Sequence, residues 1–89
     1  MLEVIKRDGS ILPFDLSKIK SAIERAFRAE HKEFTPDIIE LLALRATAVF
    51  NTKVKDEKVS VEDIQDAVEI ALIQTNYIDV AKSYMEYRN

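Results

Sequence analysis

The sequence contains no cysteine and no tryptophan, and only one glycine and two prolines, in 89 residues. The absence of cysteine excludes disulfides, zinc ribbons, iron–sulfur ligation and thiol chemistry. The single histidine, His31, lies in the polar stretch RAEHKEF without an obvious catalytic partner, so we assign it no role and predict no metal site. No apolar run approaches the length of a membrane span and no signal-peptide core is visible, so we expect a cytoplasmic protein with no membrane partner.

The net charge and the length of the chain bear on its partners and on its number of domains. With 13 basic and 16 acidic residues the net charge is −3, and there is no basic stripe, so nucleic acid is an unlikely partner. A chain of this length is expected to form one domain over residues 1–89.

The first segment has the pattern of a β-hairpin. The stretches EVIKR and SILPF flank Asp8-Gly9, a dipeptide typical of two-residue primed turns. Pro13 cannot donate to a ladder, so the second strand is expected at a sheet edge or to end there. Because side chains alternate along a strand, Lys6 and Arg7 are expected to point to opposite faces.

Four helices are predicted after the hairpin. Asp15 is a candidate cap for the first helix, and Thr35-Pro36 starts a second helix that is apolar nearly all round, which predicts the central, most buried helix. A short third strand at 59–61 precedes a third helix, which Ser60 caps, and a fourth helix follows TNYID. The remaining apolar faces are Ile19, Ala22, Ile23, Ala26 and Phe27; Ile64, Ala67, Val68, Ala71 and Leu72; and Tyr77, Val80, Ala81, Tyr84 and Met85.

This order predicts an α+β, mainly helical fold, in which a small two- or three-stranded β-sheet caps a four-helix bundle. Lys18 falls in the first turn of the first helix, where a cation is disfavoured by about 0.3–1 kcal/mol. Together with Lys6, Arg7 and the helix end it would form a positive pocket suited to phosphate oxygens. The alternative is that these are ordinary surface charges that discourage edge-to-edge aggregation.

Four motifs, VIKRDG, PFDLSKI, VSVEDIQDAVE and YIDVAKSYMEYR, occur in an order that resembles the ATP-cone domain from Val4 to Arg88. The resemblance implies a domain that binds ATP or dATP, with Mg²⁺ accompanying the triphosphate, and that lies at the N-terminus of ribonucleotide reductases. The ending YMEYRN is similar to the anaerobic, class III ribonucleoside-triphosphate reductases, which implies an excised regulatory domain of such an enzyme. Its partners would be the rest of the reductase chain and neighbouring subunits.

The resemblance also implies roles for individual residues. Lys6 and Arg7 would contact the triphosphate, with Lys18 helping at phosphate or ribose, and Arg88 lies near a basic residue that reaches the phosphates in relatives. Asp15 matches a position that contacts the nucleoside, and Gln65 one near the sugar. The base pocket would be lined by Val4, Ile19, Val61 and Ile64. Leu12 departs from the pattern, because some relatives carry there a carboxylate that reads adenine.

Without cysteine this chain cannot catalyse ribonucleotide reduction, so we predict an allosteric sensor that controls a reductase through nucleotide-dependent oligomerisation. One alternative is the nucleotide-sensing half of a transcriptional repressor of reductase genes. Another is a ligand-free dimerisation module that uses Tyr77, Tyr84 and Tyr87, although core packing of Tyr77 and Tyr84 would explain those two residues as well.

Overall fold

The structure, a computed structural model, describes residues 1–88. Its elements in chain order are β1 (Glu3–Ile5), β2 (Ile11–Pro13), α1 (Leu16–Ala29), α2 (Pro36–Phe50), a 3₁₀ turn (Asn51–Lys53), β3 (Lys58–Ser60), α3 (Val61–Gln74) and α4 (Ile78–Arg88). The predicted α+β fold, with four helices and a small sheet, is confirmed. Among these residues no helix has the length and apolarity needed to cross a membrane.

The sheet has the order β2-β1-β3, so the first strand is central. It pairs antiparallel with β2, which places Val4 opposite Leu12, and parallel with β3, which places Val4 opposite Val59. Pro13 lies on the edge strand β2, as predicted. The third strand ends at Ser60, and Val61 is already the first residue of α3, so the predicted strand 59–61 is shifted by one residue.

The hairpin turn differs from the prediction. The Lys6 amide donates to the Ser10 carbonyl (2.8 Å) and the Gly9 amide donates to the Lys6 carbonyl (2.9 Å), so the loop contains Arg7, Asp8 and Gly9. The prediction of a two-residue turn is therefore wrong, because the chain uses a three-residue loop with glycine in the left-handed region. Since β1 ends at Ile5, strand alternation does not govern the directions of Lys6 and Arg7.

Gly9 has a φ of +87°, and a Cβ added there would meet no atom within 4 Å. We expect Gly9→Ala to lower the free energy of unfolding by about 1–2 kcal/mol through backbone strain alone. Urea denaturation measures this, with Gly9→Asn as the matched variant, since asparagine visits the left-handed region more readily. Equal stability of the alanine variant and the original chain would show that the loop has another conformation in solution.

Side-chain caps begin three of the helices, as the sequence predicts. An Asp15 oxygen accepts from the Ser17 amide (3.0 Å), Thr35 Oγ1 from the Ile38 amide (3.2 Å) and Ser60 Oγ from the Asp63 amide (3.1 Å). Each cap supplies an acceptor for an amide that lacks an intrahelical partner. These contacts fix where α1, α2 and α3 begin.

The core lies among the four helices and extends to Val59 of the sheet. The Phe27 ring is fully buried, with its centroid 5.7 Å from that of Phe34 and 5.1 Å from that of Tyr77. Tyr84 is 6 % exposed, whereas Tyr87 is 62 % exposed. Core packing thus accounts for Tyr77 and Tyr84, and only one of the three tyrosines presents most of its surface.

The prediction for α2 is only partly right. Ile39, Leu42 and Phe50 are buried, but Leu41 and Leu44 each leave about half of their surface exposed. The helix packs mainly on α3 and α1, so its opposite side has no neighbour among residues 1–88. The apolar composition of α2 therefore predicted more complete burial of this helix than the structure shows.

Candidate functional site

A cavity of about 300 Å³ opens between the hairpin and the helices α1, α3 and α4. This volume lies at the lower end of the range of small-molecule sites, roughly 300–1,000 Å³. The lining residues are Val4, Lys6, Leu12, Pro13, Phe14, Asp15, Lys18, Ile19, Ala22, Val61, Ile64, Gln65 and Tyr84.

The structure brings most of the predicted site residues together at this cavity. Eight of the ten line it, namely Val4, Lys6, Asp15, Lys18, Ile19, Val61, Ile64 and Gln65. The other two, Arg7 and Arg88, are not among its lining residues. Contact with a ligand is not established by this placement, so the residue roles remain predictions.

Strand pairing explains why sequence-distant residues meet here. The parallel pairing of β1 with β3 aligns Ile5 with Ser60, and β3 leads directly into α3. The first turn of α3 is therefore held beside the hairpin, with Val61 and Ile64 at the cavity. Val4, on the central strand, lines the same cavity.

The cavity combines apolar walls with two cationic side chains. Lys6 and Lys18 are both exposed, and neither forms an ion pair within the part of the chain that the structure describes. Lys18 also lies in the first turn of α1, where backbone N–H groups leave a partial positive charge. The site can therefore place an apolar ring and an anion side by side.

Asp15 has the capping role that its position predicts. One carboxylate oxygen, Oδ1, accepts from both the Ser17 hydroxyl (2.6 Å) and the Ser17 amide (3.0 Å). The hydroxyl bond, followed by the amide bond, holds the pKa of Asp15 below its ordinary value. The other oxygen, Oδ2, accepts no hydrogen bond from residues 1–88, so a ligand hydroxyl or amine could use it.

Arg7 joins the hairpin loop to α3 and α4 next to the cavity. Its Nε donates to the Glu62 carboxylate, and its Nη2 donates to Gln65 Oε1 (3.0 Å) and to the Arg88 carbonyl (2.9 Å). The hydrogen bond from Arg7 is the main cause of the lowered pKa of Glu62. Within residues 1–88 the Nη1 group of Arg7 has no acceptor, so two N–H donors remain available.

Arg88 is fully occupied by protein acceptors. Its Nε donates to Gln65 Oε1 (3.2 Å), and its Nη1 donates to Asp66 (2.8 Å) and Glu69 (2.6 Å). Its Nη2 donates to the Glu62 carbonyl (3.4 Å) and carboxylate (3.0 Å). Burial alone would lower the pKa of Arg88, but the hydrogen bonds to Glu69 and Asp66 outweigh it and raise the pKa. Contact with a phosphate would require Arg88 to give up one of these acceptors.

Sequence reasoning missed four lining residues, Pro13, Phe14, Ala22 and Tyr84, as members of the site, and named Leu12 only as a departure from the family pattern. Helical periodicity placed Tyr84 in the core, where it does lie, but it also forms a wall of the cavity. One signal was present in the sequence: Tyr84 precedes Arg88 by four residues, so both lie on one face of α4.

The described part of the chain contains no cluster of three or more histidine, cysteine or acidic side chains that could hold a metal ion. Asp15 is the only carboxylate among the cavity residues. Magnesium bound through nucleotide phosphates needs only one or two protein carboxylates. Asp15 is the one carboxylate that the lining of the cavity could offer to such an ion.

Comparison with known proteins gives similar segments in three kinds of reductase. The chain is 42 % identical over 97 % of its length to a vitamin B12-dependent ribonucleoside-diphosphate reductase of Thermoplasma acidophilum, covering 11 % of that protein. It is 37 % identical over 99 % of its length to a ribonucleoside-diphosphate reductase subunit alpha of Chlamydia pneumoniae, covering 9 %. It is 36 % identical over 97 % to an anaerobic ribonucleoside-triphosphate reductase of Escherichia coli, covering 12 %. The chain thus spans about a tenth of the length of these relatives.

The fold and the cavity define a small α+β domain with an apolar cavity that two lysines border. The family model for the ATP cone domain matches residues 2–89, so the chain belongs to the ATP-cone family. Members of this family bind ATP or dATP as effectors and are not themselves catalytic.

Proposed function

We propose that this chain is the regulatory domain of a ribonucleotide reductase and that it binds ATP or dATP in the cavity beneath the hairpin. The observation that carries the proposal is that Lys6 and Lys18 face one cavity with the apolar residues assigned to the base. The family match and the reductase relatives support the same ligand. The enzyme's catalytic part would belong to a larger chain, and its class is left open by relatives of three kinds.

In this proposal the purine lies against Val4, Ile19, Val61 and Ile64, where apolar surface excludes water from its faces. The triphosphate extends toward Lys6, Lys18 and the free Nη1 group of Arg7, with Mg²⁺ on its oxygens. Charge-assisted hydrogen bonds from these cations each contribute about 1.5–3 kcal/mol.

Regulation would arise from a shift between two assemblies of the reductase. ATP and dATP differ only at the 2′-hydroxyl, and one neutral hydrogen bond contributes about 0.5–1.5 kcal/mol net. A difference of this size shifts a two-state equilibrium several-fold, and a symmetric oligomer can multiply it. We propose that dATP favours an inactive assembly through contacts between this domain and a neighbouring subunit, in a cytoplasmic enzyme.

Titration calorimetry with ATP, dATP, GTP and adenosine tests the ligand assignment. We expect heats of binding for ATP and dATP, weaker binding of GTP, and much weaker binding of adenosine because it lacks the phosphates. Absent heats, or equal heats for ATP, dATP and GTP, would contradict the proposal. The GTP arm also tests whether a cavity with Leu12 in its wall still selects adenine.

Light scattering of the full-length parent enzyme, with ATP or dATP, tests the proposed output. A nucleotide-dependent change in molar mass supports regulation through assembly. An unchanged mass with nucleotide bound would show that the domain acts within one chain. A ligand-free dimerisation module predicts the same assembly with and without nucleotide.

A further inference from the structure

A second, smaller cavity of about 100 Å³ adjoins the first. It is lined by Ala22, Arg25, Gln65, Tyr84, Tyr87 and Arg88. Three of these residues, Ala22, Gln65 and Tyr84, also line the larger cavity, so they form the boundary between the two. Beyond this boundary lie the guanidinium groups of Arg25 and Arg88.

The hydroxyl of Tyr84 is unused by the protein. The residue is only 6 % exposed, yet within residues 1–88 its hydroxyl makes no hydrogen bond. No fully buried side-chain oxygen or nitrogen lacks a partner in this part of the chain, so the hydroxyl keeps some accessible surface, and Tyr84 lines both cavities. Burial raises the pKa of Tyr84 to about 12, so the group stays neutral and can both donate and accept near neutral pH.

Gln65 provides a second unused polar group at the same boundary. Its Oε1 accepts from Arg7 (3.0 Å) and from Arg88 (3.2 Å), which fixes the orientation of the amide. The Nε2 group then has no acceptor among residues 1–88. The boundary thus presents an oriented amide donor and a neutral hydroxyl between an apolar wall and a group of arginines.

We propose that the Tyr84 hydroxyl hydrogen-bonds a sugar hydroxyl of the bound nucleotide and is a specificity-determining residue for ribose against deoxyribose. This inference rests on the proposed function. In a nucleoside triphosphate the sugar joins the base to the phosphates. Tyr84 lines the same cavity as the apolar residues assigned to the base and the two lysines assigned to the phosphates, so the sugar of a nucleotide bound there lies in a cavity that Tyr84 borders. A sugar hydroxyl both donates and accepts, so it matches a neutral phenol. Loss of one such bond weakens binding roughly twofold to tenfold.

The test is the variant Tyr84→Phe, which removes only the hydroxyl. Titration calorimetry with ATP, dATP and 3′-deoxy-ATP compares its affinities with those of the original chain. We expect the variant to bind ATP about twofold to tenfold more weakly. For the analogue that lacks the hydroxyl in contact with Tyr84, the variant and the original chain should bind equally. Equality for dATP identifies the 2′-hydroxyl as the recognised group. Equality for 3′-deoxy-ATP alone would assign the contact to the 3′-hydroxyl and would overturn the role of Tyr84 in distinguishing ribose from deoxyribose.

Tyr77→Phe is the matched control, because Tyr77 lines neither cavity and its hydroxyl should not contribute to affinity. Unchanged ATP binding by Tyr84→Phe, or an equal loss for all three nucleotides, would overturn the inference. Failure of the original chain to bind ATP and dATP would instead contradict the proposed function. If Tyr84→Phe unfolds, the ¹³C NMR chemical shift of Tyr84 Cζ in the original chain replaces this test. We expect the chemical shift to change when ATP binds and to change less with one deoxy analogue. Equal changes with all three nucleotides would overturn the inference.

Discussion

Replacing Lys6 and Arg7 together with alanine is expected to weaken ATP binding by roughly 100-fold or more. Each cation can supply charge-assisted hydrogen bonds to phosphate oxygens, and each such contact contributes about 1.5–3 kcal/mol. Lys6 faces the cavity without an ion-pair partner, and Arg7 retains its Nη1 donors. Titration calorimetry measures the loss, and binding of adenosine should change little because the base wall is untouched.

A control for this variant must remove the same charge. Lys53 and Lys82 are exposed and lie outside both cavities, so Lys53→Ala with Lys82→Ala lowers the net charge equally. Its ATP affinity should stay within about threefold of the original. Thermal melting of both variants verifies folding. ATP affinity retained by a folded Lys6→Ala, Arg7→Ala variant would remove these residues from the site.

Replacing Arg88 with methionine is expected to lower the free energy of unfolding by about 2–4 kcal/mol. The Arg88 side chain is 11 % exposed and Glu69 is 16 % exposed, so the change leaves a largely buried carboxylate without its partner. Breaking such a pair from one side is far costlier than losing a surface ion pair. Urea denaturation monitored by circular dichroism measures the change.

Arg28→Met is the matched control for this prediction. The Arg28 guanidinium lies 3.9 Å from Glu24 one helical turn away, and its side chain is 66 % exposed. Surface pairs of this kind contribute about 0–1 kcal/mol. Similar losses for the Arg88 and Arg28 variants would show that the cluster of Arg88 with Glu62, Asp66 and Glu69 does not stabilise the fold.

We therefore expect different roles for Arg7 and Arg88, although the family resemblance implies that both lie near the phosphates. Arg7 is half exposed and keeps two donors free, which suits a ligand contact. Arg88 has a protein acceptor for every N–H, which suits a structural anchor of α4 on α3. Its predicted contact with phosphates stays a prediction that requires an exchange of acceptors.

Local signals were sufficient for most of the fold. The caps Asp15, Thr35 and Ser60 each act as the sequence indicates, because a helix start needs only a nearby acceptor for a free amide. The hairpin loop length was not recoverable, since Asp8-Gly9 suits both a two-residue turn and the last two positions of a three-residue loop. The register of Ile5 with Ile11 and the hydrogen bonds between Lys6 and Ser10 and between Gly9 and Lys6 distinguish the two turns.

The site required long-range information that periodicity does not contain. Val61 and Ile64 reach the hairpin through the parallel pairing of β1 with β3, and the sequence alone predicted them only through family resemblance. Tyr84 was read as core because a buried position and a cavity wall have the same helical spacing. Leu41 shows the opposite error: the apolar pattern of α2 predicted a buried residue, but about half of the Leu41 surface is exposed.

Amide chemical-shift mapping of the 89-residue chain during titration with ATP tests the central claim most directly. We predict that the largest shifts fall in the hairpin loop, the first turns of α1 and α3, and the α4 residues near Tyr84. Shifts concentrated on the exposed side of α2 around Leu41 and Leu44, or an absence of shifts at the hairpin under saturating ATP, would contradict the account.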